Sequence, residues 1–113
     1  MTPALRFEVR FGSMDGPRGV QSLVAFMDDL EVGYLAHERY RGAVLIIGIE
    51  VEDDWQRRGI ASALLDELRR RVPADSRLAV DDEAQNTDAG EDFIAAYERT
   101  RGVRFERFDL TGA

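Results

Sequence analysis

An α+β fold is expected of this chain, built on a mixed, mainly antiparallel sheet with two main helices. Apolar runs short enough for strands fill the first half, and two later segments carry apolar residues at helical spacing. Gly, Pro and Asp clusters punctuate nearly every junction between them. With 113 residues, 44% apolar side chains and 3 prolines, the chain is expected to be one domain, residues 1–113, around one core.

Leu5–Phe11 alternates strictly, which suits an outer strand with one face on the core and the other in water. The link over residues 12–19 contains Gly12, Gly16, Pro17 and Gly19 without apolar periodicity, so it offers no helix. Residues 20–27 and 32–37 read as a hairpin turning around Asp28 and Asp29. Arg41-Gly42 turns the chain again into Ala43-Val44-Leu45-Ile46-Ile47-Gly48-Ile49, a continuous apolar run and therefore a buried strand. Gly48 inside it marks either a distortion, such as a bulge or close approach, or a packing position.

A helix follows, with Ile60, Leu64, Leu65, Leu68 and Val72 on one face, and Pro73-Ala74-Asp75 ends it. The cations Arg69, Arg70 and Arg71 suit the negative end of its dipole. Residues 77–80 form a short strand before Asp81-Asp82-Glu83. A second helix begins at Thr87 or Asp88, with Asp88 and Glu91 spaced as a capping box, and runs past Phe93, Ala96 and Tyr97 to Gly102. Residues 103–110 alternate again as an edge strand, where a second copy can pair to form a homodimer.

Composition narrows the chemistry. Without cysteine there is no disulfide, thiolate ligand or cysteine nucleophile. A net charge of −7 opposes nonspecific binding to nucleic acid. No signal-like N-terminus or membrane-length apolar run is present, so a cytoplasmic protein with no membrane partner is expected. His37 is the single histidine and the acidic clusters lack calcium-loop spacing, so no metal site is expected. Ser13, Ser22, Ser62 and Ser76 lack the partners of a hydrolase triad.

The junction Val51-Glu52-Asp53-Asp54-Trp55-Gln56-Arg57-Arg58-Gly59-Ile60-Ala61 is the most informative segment. It leads from a buried strand into a helix. Gly59 lets backbone approach a ligand, and the first-turn N–H groups beyond it lack intrahelical partners beside the positive end of the dipole. Such a turn suits an anion.

The placing of Val51, Gln56, Gly59 and Ala61 resembles the acetyl-coenzyme A motif of the GNAT N-acetyltransferase superfamily: a strand-ending valine, then Gln/Arg-x-x-Gly-x-Gly/Ala opening a helix. Asp53 stands where a proline is frequent. The resemblance covers roughly residue 20 onward and implies a GNAT-like sheet with a splayed central strand pair. It also implies acetyl-coenzyme A as acyl donor. Main-chain groups from Ile49 to Val51 would hold the pantetheine arm, residues Gln56, Arg57, Arg58, Gly59, Ile60 and Ala61 the diphosphate, and Asn86 the pantetheine amide. The family's helix pair between its first two strands, one wall of the acceptor pocket, has no counterpart in the short link here.

Two registers compete for the general acid that protonates the departing thiolate. Tyr97-Glu98-Arg99-Thr100-Arg101-Gly102-Val103 resembles the family's Tyr-Glu-Lys-x-Gly-Phe signature with one residue inserted, which favours Tyr97. Counting from Asn86 to Ala89 instead places Phe93 there, which has no proton to give. Glu50 alternates away from Ile49 and Val51 at the strand end and is the preferred base, with Glu52 second. Asp53, Asp54, Asp81, Asp82 and Glu83 fall at strand ends on the cradle side, where they would attract a cationic acceptor such as a lysine side chain, a polyamine or an aminoglycoside-like molecule. The expected activity is transfer of an acetyl or short acyl group from coenzyme A to a primary amine by direct attack in a ternary complex. The alternative is a non-catalytic acyl-coenzyme A-binding or protein-interaction module on the same fold.

Overall fold

A computed structural model describes residues 5–11, 20–81 and 88–108. Six strands form one sheet in the order β1-β2-β3-β4-β5-β6: β1 Leu5–Phe11, β2 Gln21–Met27, β3 Leu30–Tyr40, β4 Ala43–Val51, β5 Arg77–Asp81 and β6 Glu106–Phe108. The first four run antiparallel, whereas β4 to β5 and β5 to β6 are parallel. The helices α1, Ile60–Arg71, and α2, Asp88–Arg101, are the crossovers of those parallel pairs. Two successive right-handed crossovers in one direction place both helices on one sheet face. The capping box expected of Asp88 and Glu91 lies outside the described side chains.

Ile60, Leu64, Leu65 and Leu68 of α1 and Ile94 and Tyr97 of α2 meet Leu23, Leu35, Val44, Ile46 and Val80 of the sheet in one cluster. Each aliphatic side chain removed from water there contributes about 1.5–3 kcal/mol. The opposite face is different. It buries a small group, Ala43, Leu45 and Ala79 beside Tyr40 and Phe108, and lays the Arg6 and Arg10 guanidinium groups over the Phe26 ring at 4.6 and 5.7 Å. Among the described residues no helix covers that face. The link of residues 12–19, which the sequence reading treats as too short for a helix pair, lies outside the described residues.

Both expected hairpins form. Asp28, at φ 55°, opens the first turn, which starts β3 two residues earlier than the alternation suggested. Arg41 and Gly42 turn the second with φ of 51° and 79°, the double left-handed pattern of a tight hairpin. The edge strand is shorter than its sequence pattern, Glu106–Phe108, and is tied to β5 by the Arg77–Glu106 ion pair at 2.6 Å.

The centre of the sheet opens. Among the described residues β4 pairs with β5 only from Ala43 to Ile46, yet it stays paired with β3 as far as Val51. The register with β3 slips at the same point: His37 faces Ile46 and Ala36 faces Gly48, so Ile47 is an extra residue, a β-bulge. A bulge adds local twist and bends its strand. Here it carries the end of β4 along with β3 and leaves β5 behind. The distortion flagged by Gly48 is therefore a bulge beside it; an added Cβ at Gly48 would meet nothing within 4 Å, so close approach is not the reason for that glycine. Among the described residues no helix is long and apolar enough to cross a membrane.

Candidate active site

The link from β4 to α1 is pinned at several points. Glu52 donates its N–H to the Val32 carbonyl at 2.9 Å, and a 3-10 turn, Asp53–Trp55, is closed by Trp55 N–H to Glu52 O at 2.8 Å. Gln56 Nε2 donates to the Val51 carbonyl at 3.1 Å and to Asp53 Oδ1 at 3.2 Å. The Gln56 side chain thus braces the loop.

Beyond that brace the backbone turns left-handed twice, at Arg57 (φ 63°) and at Gly59 (φ 80°), the N-cap of α1. A non-glycine residue at such φ costs on the order of 1 kcal/mol, a strain of the kind found at ligand clamps. No side chain caps the helix, and the N–H groups of residues 57–62 have no acceptor among the described residues. They lie at the positive end of the α1 dipole, where the opened strand pair ends. Arg57 and Arg58 are exposed and make no ion pair among the described residues; the Arg58 guanidinium rests 5.0 Å from the Trp55 ring centroid. Among the described residues nothing anionic occupies these donors, the dipole or the two cations. These residues fit a diphosphate, and the β4 edge over residues 47–51, without a β5 partner among the described residues, gives an extended chain something to pair with.

A cleft of about 480 Å³ lies beside the end of β4. Glu31, Gly33 and Tyr34 of β3, Ile49, Glu50 and Val51 of β4, and Glu52, Asp53 and Gln56 of the link line it. Its carboxylates far outweigh its cations, since no Lys or Arg is among the lining residues. Glu31 is paired from outside by Arg10 at 2.8 Å. Gly33 has a steric reason: a Cβ there would sit 2.8 Å from the Glu50 carbonyl oxygen and 3.3 Å from Val51 Cγ2. Tyr34 faces Glu50 across the ladder, and both side chains line the cleft. Burial, then the facing Glu50 carboxylate, then Glu31, push the Tyr34 phenol above its ordinary 10.0.

Glu50 therefore lies where the sequence placed it, at the strand end in an open cleft. Tyr97 has a different setting. It is 3% exposed between the two helices, its hydroxyl donates to Asp66 Oδ1 at 2.6 Å, and Arg69 Nη1 donates to that hydroxyl at 3.4 Å. Asp66 also accepts from Arg101 Nε at 3.1 Å and Nη2 at 3.0 Å. At about 1.5 Å rise per residue, Asp66 lies roughly 9 Å along α1 from its start. This geometry does not favour the general-acid role expected of Tyr97, because the hydroxyl is committed to a helix-helix clasp. Phe93, the other register, sits one turn earlier with ring centroids 6.3 Å apart. Asn86, Asp82 and Glu83 lie outside the described residues. His37, its pKa lowered by burial, pairs across the sheet with Ile46 and joins no site.

Tyr34, Glu31 and Gly33 were missed by the sequence reading. Strand alternation alone was the available signal, and it cannot say which residues of neighbouring strands meet.

Comparison with known proteins gives a consistent family. The model of the acetyltransferase (GNAT) family matches residues 4–103. No curated protein matches the sequence at a significant level. Among solved structures, an aminoglycoside acetyltransferase from an uncultured soil metagenomic sample, in complex with sisomicin, is 17% identical and superposes over 95% of both chains with a TM-score of 0.62. The aminoglycoside N-acetyltransferase AAC(6')-Iy, in complex with a bisubstrate analogue joining coenzyme A to an acetylneamine, is 20% identical, with 83% of this chain and 69% of that chain covered and a TM-score of 0.56. A ribosomal-protein-alanine N-acetyltransferase from Brucella melitensis biovar Abortus 2308 is 19% identical over 60% of this chain and 70% of that chain, with a TM-score of 0.54. This chain spans only 33–36% of the length of three further acetyltransferase structures.

Proposed function

This chain belongs to the GNAT acetyltransferase family, and from that premise we propose that it transfers an acetyl or short acyl group from coenzyme A to a primary amine of a cationic acceptor. Attack is direct, within a ternary complex. The observation that carries the reading is the run of N–H groups at residues 57–62 without acceptors among the described residues, placed at the mouth of the opened β4–β5 pair. Gly59, Ile60 and Ala61 would meet the diphosphate with main-chain donors, Arg57 and Arg58 would add charge, and the β4 edge from Ile49 to Val51 would align the pantetheine arm. Gln56 acts by holding the turn in shape. Asn86 keeps its proposed contact with the pantetheine amide.

Bound coenzyme supplies the activated acyl group. The protein's part is to orient it and to take a proton from the acceptor's ammonium group, which has no lone pair for attack until that proton leaves. Glu50, at the cleft beside the β4 edge, is the proposed base, and the surrounding carboxylates favour a cation there. Aminoglycoside acceptors named for two structural neighbours are in keeping with such a cleft.

Isothermal calorimetry with acetyl-coenzyme A tests the cradle. Gly59→Asp places a carboxylate against the diphosphate and is expected to weaken binding roughly tenfold or more, with the fold kept. Unchanged affinity in that variant would contradict the assignment. The second reading, a binding module without turnover, is favoured by one observation: the Tyr97 hydroxyl is engaged by Asp66 and Arg69. Coenzyme binding with no thiol release across an amine panel would decide for it.

A further inference from the structure

We propose that Tyr34 is a positioning residue for Glu50, and that the β-bulge at Ile47 is what brings this hydroxyl and this carboxylate together; the inference rests on the reading of Glu50 as base. The β3–β4 hairpin starts in simple register, Tyr40 facing Ala43 and His37 facing Ile46. Continued without interruption, that register would set Ile49 opposite Tyr34. The extra residue at Ile47 moves Glu50 there instead. Bulges re-aim side chains in this way, and they are common beside active sites.

The pair is open to a ligand. Tyr34 and Glu50 both line the 480 Å³ cleft, and Gly33 lets the two strands close up at its floor. The other charged groups facing it are Glu31, already paired with Arg10, Glu52, and Asp53, which accepts from Gln56. From β2 the neighbour of Tyr34 is Val24, which is apolar. No cation among the lining residues competes for Glu50. The phenol, raised above its ordinary value by burial and by Glu50, stays protonated at neutral pH and so keeps a proton to offer the facing carboxylate. A hydrogen bond from that hydroxyl would fix one carboxylate oxygen and leave the other for the acceptor.

In the reaction, one ammonium proton passes to Glu50 and the freed nitrogen lone pair forms the C–N bond to the acyl carbon. The C–S bond breaks, the second proton shed by nitrogen ends on sulfur, and the proton on Glu50 leaves to water. Tyr34 donates to the carboxylate before the transfer and loses no proton itself.

Steady-state kinetics of Tyr34→Phe, Glu50→Gln and the double variant test this, using acetyl-coenzyme A with spermidine, sisomicin and a lysine peptide. Tyr34→Phe should lower kcat about tenfold, the worth of a hydrogen bond to a charged group, with KM for acetyl-coenzyme A unchanged. Glu50→Gln should cost roughly 100-fold or more, and the double variant no more than that. A Tyr34→Phe enzyme with the original kcat, beside a crippled Glu50→Gln, overturns the role of Tyr34 alone. Full activity in Glu50→Gln, or no turnover of any of these acceptors, overturns the base reading and this inference with it. Spectrophotometric titration gives a check independent of turnover: in Glu50→Gln one phenol should ionise at lower pH, and an unmoved phenol would mean that the contact is absent.

Discussion

Gly59 and Arg57 show how single residues shape the cradle, since both hold left-handed backbone and so turn consecutive N–H groups outward instead of into a capped helix. Tyr97 shows the reverse, a residue with chemical potential used for structure. Its ring packs against Phe105 and its hydroxyl is spent on Asp66. Tyr97→Phe should therefore cost about 1–2 kcal/mol of stability, read by denaturant unfolding, while kcat stays close to that of the parent. A large loss of kcat with unaltered stability would restore the general-acid role.

At the scale of elements, α1 and α2 are joined through Asp66, Tyr97 and Arg101, and the arrangement has a pH signature. Hydrogen bonding from Arg101, then from Tyr97, holds the Asp66 carboxyl below its ordinary 3.8 although burial opposes this. A folded-state pKa below the unfolded one means stability that is present above the unfolded value and lost as pH falls through the folded value. Asp66→Asn should accordingly lower Tm at pH 7, and the gap to the parent should close below about pH 4. Glu67 and Glu98, both lowered chiefly by arginine hydrogen bonds, add to the parent's acid sensitivity but are the same in both proteins. A gap that persists at low pH would show that the charge of Asp66 is not what matters.

The elements themselves were largely legible in the sequence. Alternation in Leu5–Phe11, the apolar run of Ala43–Ile49 and the spacing of Ile60, Leu64, Leu65 and Leu68 are local patterns, and local hydrogen bonding follows them. The cradle was legible for the same reason, being one contiguous turn. The cleft was not. Tyr34 faces Glu50 only because Ile47 is squeezed out of register, and a bulge is decided by packing across three strands. Likewise Tyr97 carries a motif-like context, yet its partner Asp66 is 31 residues away on another helix.

Over the whole molecule, a net charge of −7 and a carboxylate-lined cleft act together on a cationic acceptor. Long-range attraction is screened within about 8 Å at physiological ionic strength. With sisomicin or spermidine, kcat/KM should fall as salt rises, whereas a neutral primary amine should show little dependence. Equal salt dependence for both would remove the electrostatic part of the account.

The most direct test is a titration of ¹⁵N-labelled protein with coenzyme A, followed by amide NMR. The account predicts the largest shifts at residues 57–61, with a second group along Ile49 to Val51. Binding that leaves those amides unmoved and perturbs others, or no saturable shift at all, would contradict it.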